Sequence, residues 1–338
     1  MATLRNRIGL AAAAVSLALV SAAPRIGLAD SATPANGLPG SLVTAQWLHD
    51  HLDEVTVLDV GDDAARMTVA PKLEIDQKTG ARDVAAMGGH IPGALFVDFN
   101  KIRESRIVNG VTLVAMMPTK EFFEKAMDNA GLDKGRTIVI AATGESVEAL
   151  DMATRLFFQL KYFGQDNVAV LNGGTRAWIA SGFPVSTDPV GAKQGDWTAT
   201  AERTELLATS QDVETSLQTH AAQLVDARPV AQFFGMAKSP VVLAAGHVQG
   251  AASFPTEVIA TPVGHGRAFM GEKQYRAILG QQNIDPDKPT IAYCNTGHLA
   301  SGAWFVLHEI LKEKNARLYA GSMNEWTHLS KAVVGLPQ

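Results

Sequence analysis

One cysteine, Cys294, stands in the stretch "IAYCNTGHLAS", residues 291 to 301, and no other cysteine occurs in the 338 residues. A short apolar run precedes it and a helix-like run follows. Strand, glycine-containing loop and helix would place its sulfur at the carboxyl end of a parallel strand, where open α/β sheets keep their sites. Loop N–H groups from Asn295, Thr296, Gly297, His298 and Leu299 can then point inward, as can the start of the helix, forming an anion-binding nest. A hydrogen bond to a charged acceptor contributes about 1.5 kcal/mol or more. Two or three such amides would favour a thiolate without a catalytic base, which is the condition for nucleophilic catalysis at cysteine. The bland alternative is a buried, inert cysteine.

The elements that must position this loop come in two blocks with the same order of signals. The first runs from "SLVTAQWLHDHL" into the strand "VTVLDV", then "GGHIPGALFVDF", the amphipathic helix "TKEFFEKAMDNAGL" and the strand "TIVIAA". A helix in "DMATRLFFQLKYFG", the strand "NVAVL" and "NGGTRAW" finish it, with Gly131 and Gly164 closing their helices. The second block repeats the series with "AAQLVDARP", "AAGHVQGAASFP", "EKQYRAILGQQNI", "PTIAYC", "LASGAWFVLHEILKE" and "NARLYAGSMNEW". Strand–helix alternation of this kind implies parallel sheets covered by helices. The expected units are residues 38–185 and 205–338, joined through 186–204, which is polar, rich in small residues and unpatterned.

The first 29 residues read as an export signal, with Arg5 and Arg7 before a 16-residue apolar core and "GLA" ending at Ala29. That core is short for a membrane span, so a periplasmic or secreted protein with no membrane span is expected. Removing Arg5, Arg7 and Arg25 with no acid takes the formal net charge from -5 to -8, which argues against nucleic acid as a partner. In an oxidising compartment a lone cysteine cannot form an internal disulfide. Metal chemistry finds no support, because the histidines lack ligand spacing and His49 and His51 point to different sides of their helix. His90 and His247, in the duplicated G-H-[I/V]-x-G-A, read best as loop histidines that tie down local backbone.

The loop C-N-T-G-H-L-A-S resembles the active-site loop of the rhodanese family of sulfurtransferases, and "LVDAR", "GHVQGA" and "YAGSMNEW" resemble its other characteristic segments. The resemblance covers about residues 40–338 as a tandem pair. It implies an α/β fold of two tandem rhodanese-like domains, each a mainly parallel sheet with helices on both faces, the second one catalytic. The first-half counterpart, "AATGESVEALDM", lacks the cysteine and reads as a loop of different length. The family implies a double displacement: the Cys294 thiolate takes a sulfane sulfur from thiosulfate or mercaptopyruvate and passes it to cyanide or a thiol. No cofactor is implied, and a monomer is expected.

The family also implies roles for neighbours of the loop. Residues 295 to 299 would bind donor and persulfide through their amides, with Thr296 supplying the hydroxyl found in mercaptopyruvate enzymes. Arg228 of the D-x-R would be structural or bind the donor. Gln232 stands where relatives commonly carry a donor-binding arginine, and Asn295 and Thr296 stand where thiosulfate-preferring relatives often carry a cation. His298, the loop's one titratable group besides the thiol, is expected to help bind a dianion or move a proton. Asp226, His247 and Trp326 would support the site structurally, and Glu325 would make local hydrogen bonds. A cysteine phosphatase is a poor fit, because the position that must be arginine in C-x5-R is Ala300. A two-lobed solute-binding protein and a non-turnover sulfur carrier stay open.

Overall fold

The computed structural model describes residues 37–108, 110–191 and 193–336; the expected export segment lies outside them. In the first half, β1 (Leu42–Val43), α1 (Ala45–Asp50) and β2 (Thr56–Gly61) lead into β3 (Lys72–Ile75) and β4 (Arg82–Ala86). Then come β5 (Leu95–Asp98), β6 (Glu104–Val108), β7 (Val111–Met116), α2 (Lys120–Ala130), β8 (Ile138–Ala141), α3 (Val147–Tyr162), β9 (Val168–Leu171) and α4 (Gly174–Ala180). The second half runs α5 (Ser210–Thr219), β10 (Gln223–Asp226), α6 (Val230–Phe233), β11 (Ala252–Ser253), β12 (Thr261–Val263) and β13 (Gly266–Ala268). It continues through α7 (Glu272–Gln281), β14 (Thr290–Tyr293), α8 (Leu299–Trp304), β15 (Ala316–Leu318) and α9 (Ser322–His328).

The first sheet has the order β1-β9-β8-β2-β5 and every pairing in it is parallel. The second has the order β11-β10-β14-β15, again all parallel, and a parallel bridge from Leu207 to Leu318 extends it where β1 extends the first. Its strands are apolar on both faces because both faces are covered. On β8, Ile138 and Ile140 enter one core with α2 and α3, while Val139 and Ala141 enter another with α1 and α4. Ala292 of β14 and Cys294 just after it share a core with α7 and α8, while Ile291 and Tyr293 face α5 and α9.

The α2–α3 core of the first half and the α7–α8 core of the second are one continuous core. Phe157 and Phe158 of α3 meet Trp304 and Phe305 of the α8 segment edge-on or tilted, with centroids 4.8 to 6.4 Å apart. Thr154 Oγ1 and Ser301 Oγ lie 2.9 Å apart across the same seam. Gly302 lets α8 approach closely, because a Cβ there would run into the Asp151 carboxylate. Asp151 is fully buried, both its oxygens lack a partner, and burial together with the charge of Glu148 holds its carboxyl well above the usual range. Past Trp304 the helix widens into a π-helical turn, Phe305–Ile310, that buries a His308–Glu309 pair.

The duplicated G-H elements do one job twice. His90 bridges to Ser186 and His247 to Val334, each clamping the chain as it leaves its half. The rings accept the role expected of them: His90 binds the carbonyls of Ile91 and Asp188, and His247 binds that of Phe233 and stacks on its ring. Trp178 Nε1 donates to Pro184 O, and Trp326 Nε1 to Ala332 O, six residues on in both cases.

Two features differ from the sequence reading. The joining stretch is anchored at points: Trp197 is buried against Phe123, and Thr200 N–H donates to Phe163 O. Three antiparallel hairpins, β3–β4, β6–β7 and β12–β13, add to the expected elements. The Asn-Gly in "VNGV" was a legible hairpin signal; β3 is exposed throughout and offers no pattern. The hairpins are exchanged. β7 of the first half meets Asn324 of the second through Val114 O, and β13 of the second meets Gly144 of the first through Arg267 N–H.

The seam sets a prediction. Gly302→Ala should lower stability to denaturant by roughly 1–3 kcal/mol through overpacking against Asp151. Gly280→Ala, on the exposed face of α7 with nothing within 4 Å of a new Cβ, should be neutral or stabilising. Equal midpoints for the two variants in a denaturant titration would contradict the close approach.

Candidate active site

The strand β14 ends at Tyr293 and α8 begins at Leu299, so the loop between them carries Cys294 to His298. Asp226 of β10 pairs with Tyr293, and Asp59 of β2 pairs with Ala141. By that register Ala142 is the first-half counterpart of Cys294. Both loops hold five residues up to the helix cap, Ala142–Ser146 and Cys294–His298. The expected difference in length is therefore not present; what differs is the residue at the head of the loop and the place of its glycine.

Cys294 is buried, with 1% of its surface exposed. Its Sγ accepts a hydrogen bond from Gly297 N–H at 3.1 Å. Among the described residues this is the one amide donated to the sulfur, fewer than the two or three expected from the spacing. Gly297 owes the position to φ +77°, and a Cβ would stand 2.9 Å from Ala320 Cα, so no larger residue fits there. The cysteine's backbone is fixed on both sides. Its N–H donates to Ser322 Oγ at 3.0 Å, Ser322 donates on to Tyr319 O, and Met323 N–H donates to Cys294 O. Ser322 itself sits at φ +52°, a conformation that costs a non-glycine residue free energy, at the position Gly174 takes in the first half.

The other expected site residues divide into two groups. Asn295 Nδ2 donates to Gln232 Oε1 at 2.9 Å, so this uncharged pair lies together beside the cysteine. Asn295 Oδ1 is buried without a partner. Thr296 is half-buried, and Leu299 packs on the shared core. Arg228, in contrast, is held by its own turn, with Nη1 left without a partner. It is fully buried, its Nη2 reaches Asp226 Oδ2 at 2.6 Å and Gly246 O at 2.7 Å, and its role is to lock the D-x-R turn. Asp226 and Trp326 are likewise buried, and His247 is clamped on Phe233 O. Glu325 N–H closes a helical turn on Gly321 O.

His298 departs from expectation. Its Nε2 lies 3.0 Å from Glu148 O and its ring 4.6 Å from that of Phe99. Burial, reinforced by the charges of Arg103 and Arg155, pushes its pKa down to about 3. It is neutral at working pH and cannot supply a cation to a dianionic donor. The expected charged histidine is not found, because burial, with the charges of Arg103 and Arg155, disfavours the imidazolium.

Sequence reasoning missed both arginines, since each comes from the first half. Arg155 of α3 is fully buried, and its Nη1 donates to Gly297 O at 3.0 Å. Arg103, just after β5, lies with its guanidinium carbon 3.9 Å from the centre of the Phe99 ring, and its Nη2 reaches Asn100 Oδ1 at 3.1 Å. Only the register of the two halves brings them to Cys294. Asn324, also unforeseen, binds Asn295 O through its backbone and Val114 O through its side chain.

Comparison with known proteins agrees with this geometry. The family model described as "Rhodanese-like domain" matches residues 44–181 and 209–329. The thiosulfate sulfurtransferase of Cricetulus griseus is 30% identical over 245 residues, covering 71% of this chain and 77% of its own. A 3-mercaptopyruvate sulfotransferase structure from Escherichia coli superposes with a TM-score of 0.67 at 25% identity, over 84% of this chain and 98% of that one. An anaerobic ergothioneine biosynthesis enzyme from Chlorobium limicola shares the fold, with a TM-score of 0.69 at 21% identity, over 88% of this chain and 71% of that one.

The state of His298 has two measurable consequences. A histidine whose basicity falls on folding binds fewer protons folded than unfolded, so it withdraws stability as pH drops from its ordinary 6.5 towards about 3. Urea midpoints of the wild type should decline across that window, and His298→Gln should flatten the decline. Any loss of turnover in His298→Gln should be the same at pH 6 and pH 8; a larger loss at pH 6 would show a protonated imidazole at work.

Proposed function

The chain belongs to the rhodanese family and is a sulfurtransferase enzyme, and from that premise we propose that it moves a sulfane sulfur from thiosulfate to cyanide or a thiol through a persulfide on Cys294. The observation that carries this reading is the sulfur itself: the sole thiol, held at a strand end with the Gly297 amide 3.1 Å away. In the first step Sγ attacks the outer sulfur of thiosulfate. The new Sγ–S bond forms as the bond to the sulfonate sulfur breaks, and sulfite leaves with that electron pair. In the second step cyanide or a thiolate attacks the outer sulfur of the persulfide and Cys294 departs as thiolate. No net oxidation occurs and no cofactor is needed.

The site supports both steps through charge. The thiolate, the persulfide and the donor are all anionic, and the loop receives them with a backbone donor and two guanidinium groups. Hydrogen bonds to a charged acceptor are worth roughly twice neutral ones, so the Gly297 amide gains strength as the sulfur ionises. Residues 1–29 we read as the export signal of a periplasmic or secreted enzyme, and 38–185 and 205–338 as its two units.

Given thiosulfate, the purified protein should gain one sulfur atom by intact mass and release one sulfite, and cyanide should remove the added sulfur. Cys294→Ser should do neither. No adduct from thiosulfate, with an adduct from mercaptopyruvate, would move the donor assignment to mercaptopyruvate. Expression of the full chain should yield a product beginning after Ala29 in the exported fraction, read by N-terminal sequencing.

A further inference from the structure

Both halves carry arginines, but those of the first half near the loop are not closed on a carboxylate. Among the described residues neither Arg103 nor Arg155 makes an ion pair, whereas Arg66 and Arg228, the turn arginines of the two sheets, are closed on Asp59 and Asp226. Arg155 is the extreme case. It is fully buried, its Nε has no partner, and its Nη2 finds only Met117 Sδ at 4.0 Å. A buried, unpaired guanidinium is costly unless something anionic offsets it, and the carboxyl oxygens of Asp151, the acid of the seam, make no hydrogen bond to it.

We propose that Arg103 and Arg155, from the half without a cysteine, supply the positive charge of the site. Arg155 is a positioning residue: it holds the Gly297 carbonyl, so that the amide of the same residue faces Sγ, and its charge is the fixed partner of the sulfur anion. Arg103, half-buried on Phe99, receives the anionic end of a donor such as thiosulfate. Together they take the place of the loop cation that Asn295, Thr296 and Gln232 do not provide. The Arg103 part rests on the thiosulfate reading; the Arg155 part needs only a reactive thiol.

The electrostatic surroundings agree. Burial lowers the pKa of Arg155 to about 10, Arg103 lowers it further and Cys294 opposes the drop, so the group is charged at neutral pH. Burial also lowers that of Arg103, with Cys294 first and then Asp62 and Asp98 opposing. The remaining groups around the sulfur are accounted for. Arg228 is closed on Asp226, His298 is neutral, and burial with the charge of Asp226 keeps the Tyr293 hydroxyl protonated. Glu148 belongs to the first turn of α3, and it meets His298 through its carbonyl.

The test reads the thiol and the donor separately in the full chain. Iodoacetamide, an uncharged reagent, reports the thiolate through its alkylation rate against pH. Arg155→Gln, which can still donate a hydrogen bond, and Arg155→Met should both slow alkylation about tenfold at neutral pH; Arg155→Lys should recover most of it. Circular dichroism checks folding, and if Arg155→Met does not fold, Arg155→Gln against Arg155→Lys decides. Alkylation profiles that match wild type, or a lysine variant no better than glutamine, overturn the Arg155 assignment. Arg103→Met should alkylate within about threefold of wild type, yet need about tenfold more thiosulfate for half-maximal sulfite release in single turnover. An unchanged thiosulfate requirement overturns the Arg103 assignment. Wild type that alkylates readily but takes no sulfur from thiosulfate overturns the donor reading instead, and leaves the Arg155 result standing.

Discussion

The contact on which the rest of the site depends is the hydrogen bond from Arg155 to the carbonyl of Gly297. It crosses from one half of the molecule to the other and ends one residue's width from the nucleophile. For it to form, α3 and α8 must pack within reach, which requires Gly302 at the seam and small hydroxyls at Thr154 and Ser301. A guanidinium is then buried without a carboxylate, and the loop must supply the compensating dipoles and negative charge. The seam, the glycine and the thiol therefore form one arrangement.

This gives the cysteine-free half a part in the chemistry. Its own loop has the length of the reactive one, but Ala142 heads it and β13 of the second half closes over Gly144 and Arg176. The reciprocal hairpin, β6–β7, reaches Asn324 beside Cys294. Each half covers the loop of the other, and only one of the two covered loops carries a thiol. The uncharged Asn295–Gln232 pair next to that thiol is intelligible in the same terms, because cations are already supplied across the seam.

Much of this was legible in the sequence. The repeated order of strands and helices announced two parallel sheets, because a strand buried on both faces must read as an unbroken apolar run and its helix as an amphipathic one. Cys294, Gly297 and the clamping role of His90 and His247 followed from local spacing. What did not follow depends on contacts far apart in the chain. Arg155 lies 142 residues from Gly297, inside a helix that looks like any buried helix with one charge. The lowered basicity of His298 could not be read from its neighbours in sequence, since it is set by burial in the fold, reinforced by Arg103 and Arg155. The hairpins β3–β4 and β12–β13 are short and largely exposed, so no periodicity marks them. Arg228 looked equally suited to a ligand and to a turn; only its burial against Asp226 decides.

The burial of α3 has a consequence for how the chain is made. Twelve of its sixteen residues are buried, Asp151, Thr154, Arg155, Phe157 and Phe158 among them, and the cover over this stripe comes from α8, which is synthesised about 150 residues later. Until then a nascent first half presents two phenylalanines, an acid and an arginine in the open, a surface of the kind that chaperones hold and that aggregates form on. Assembly of the catalytic loop and concealment of that stripe are the same event, so the enzyme gains its activity and loses its stickiest surface in one step.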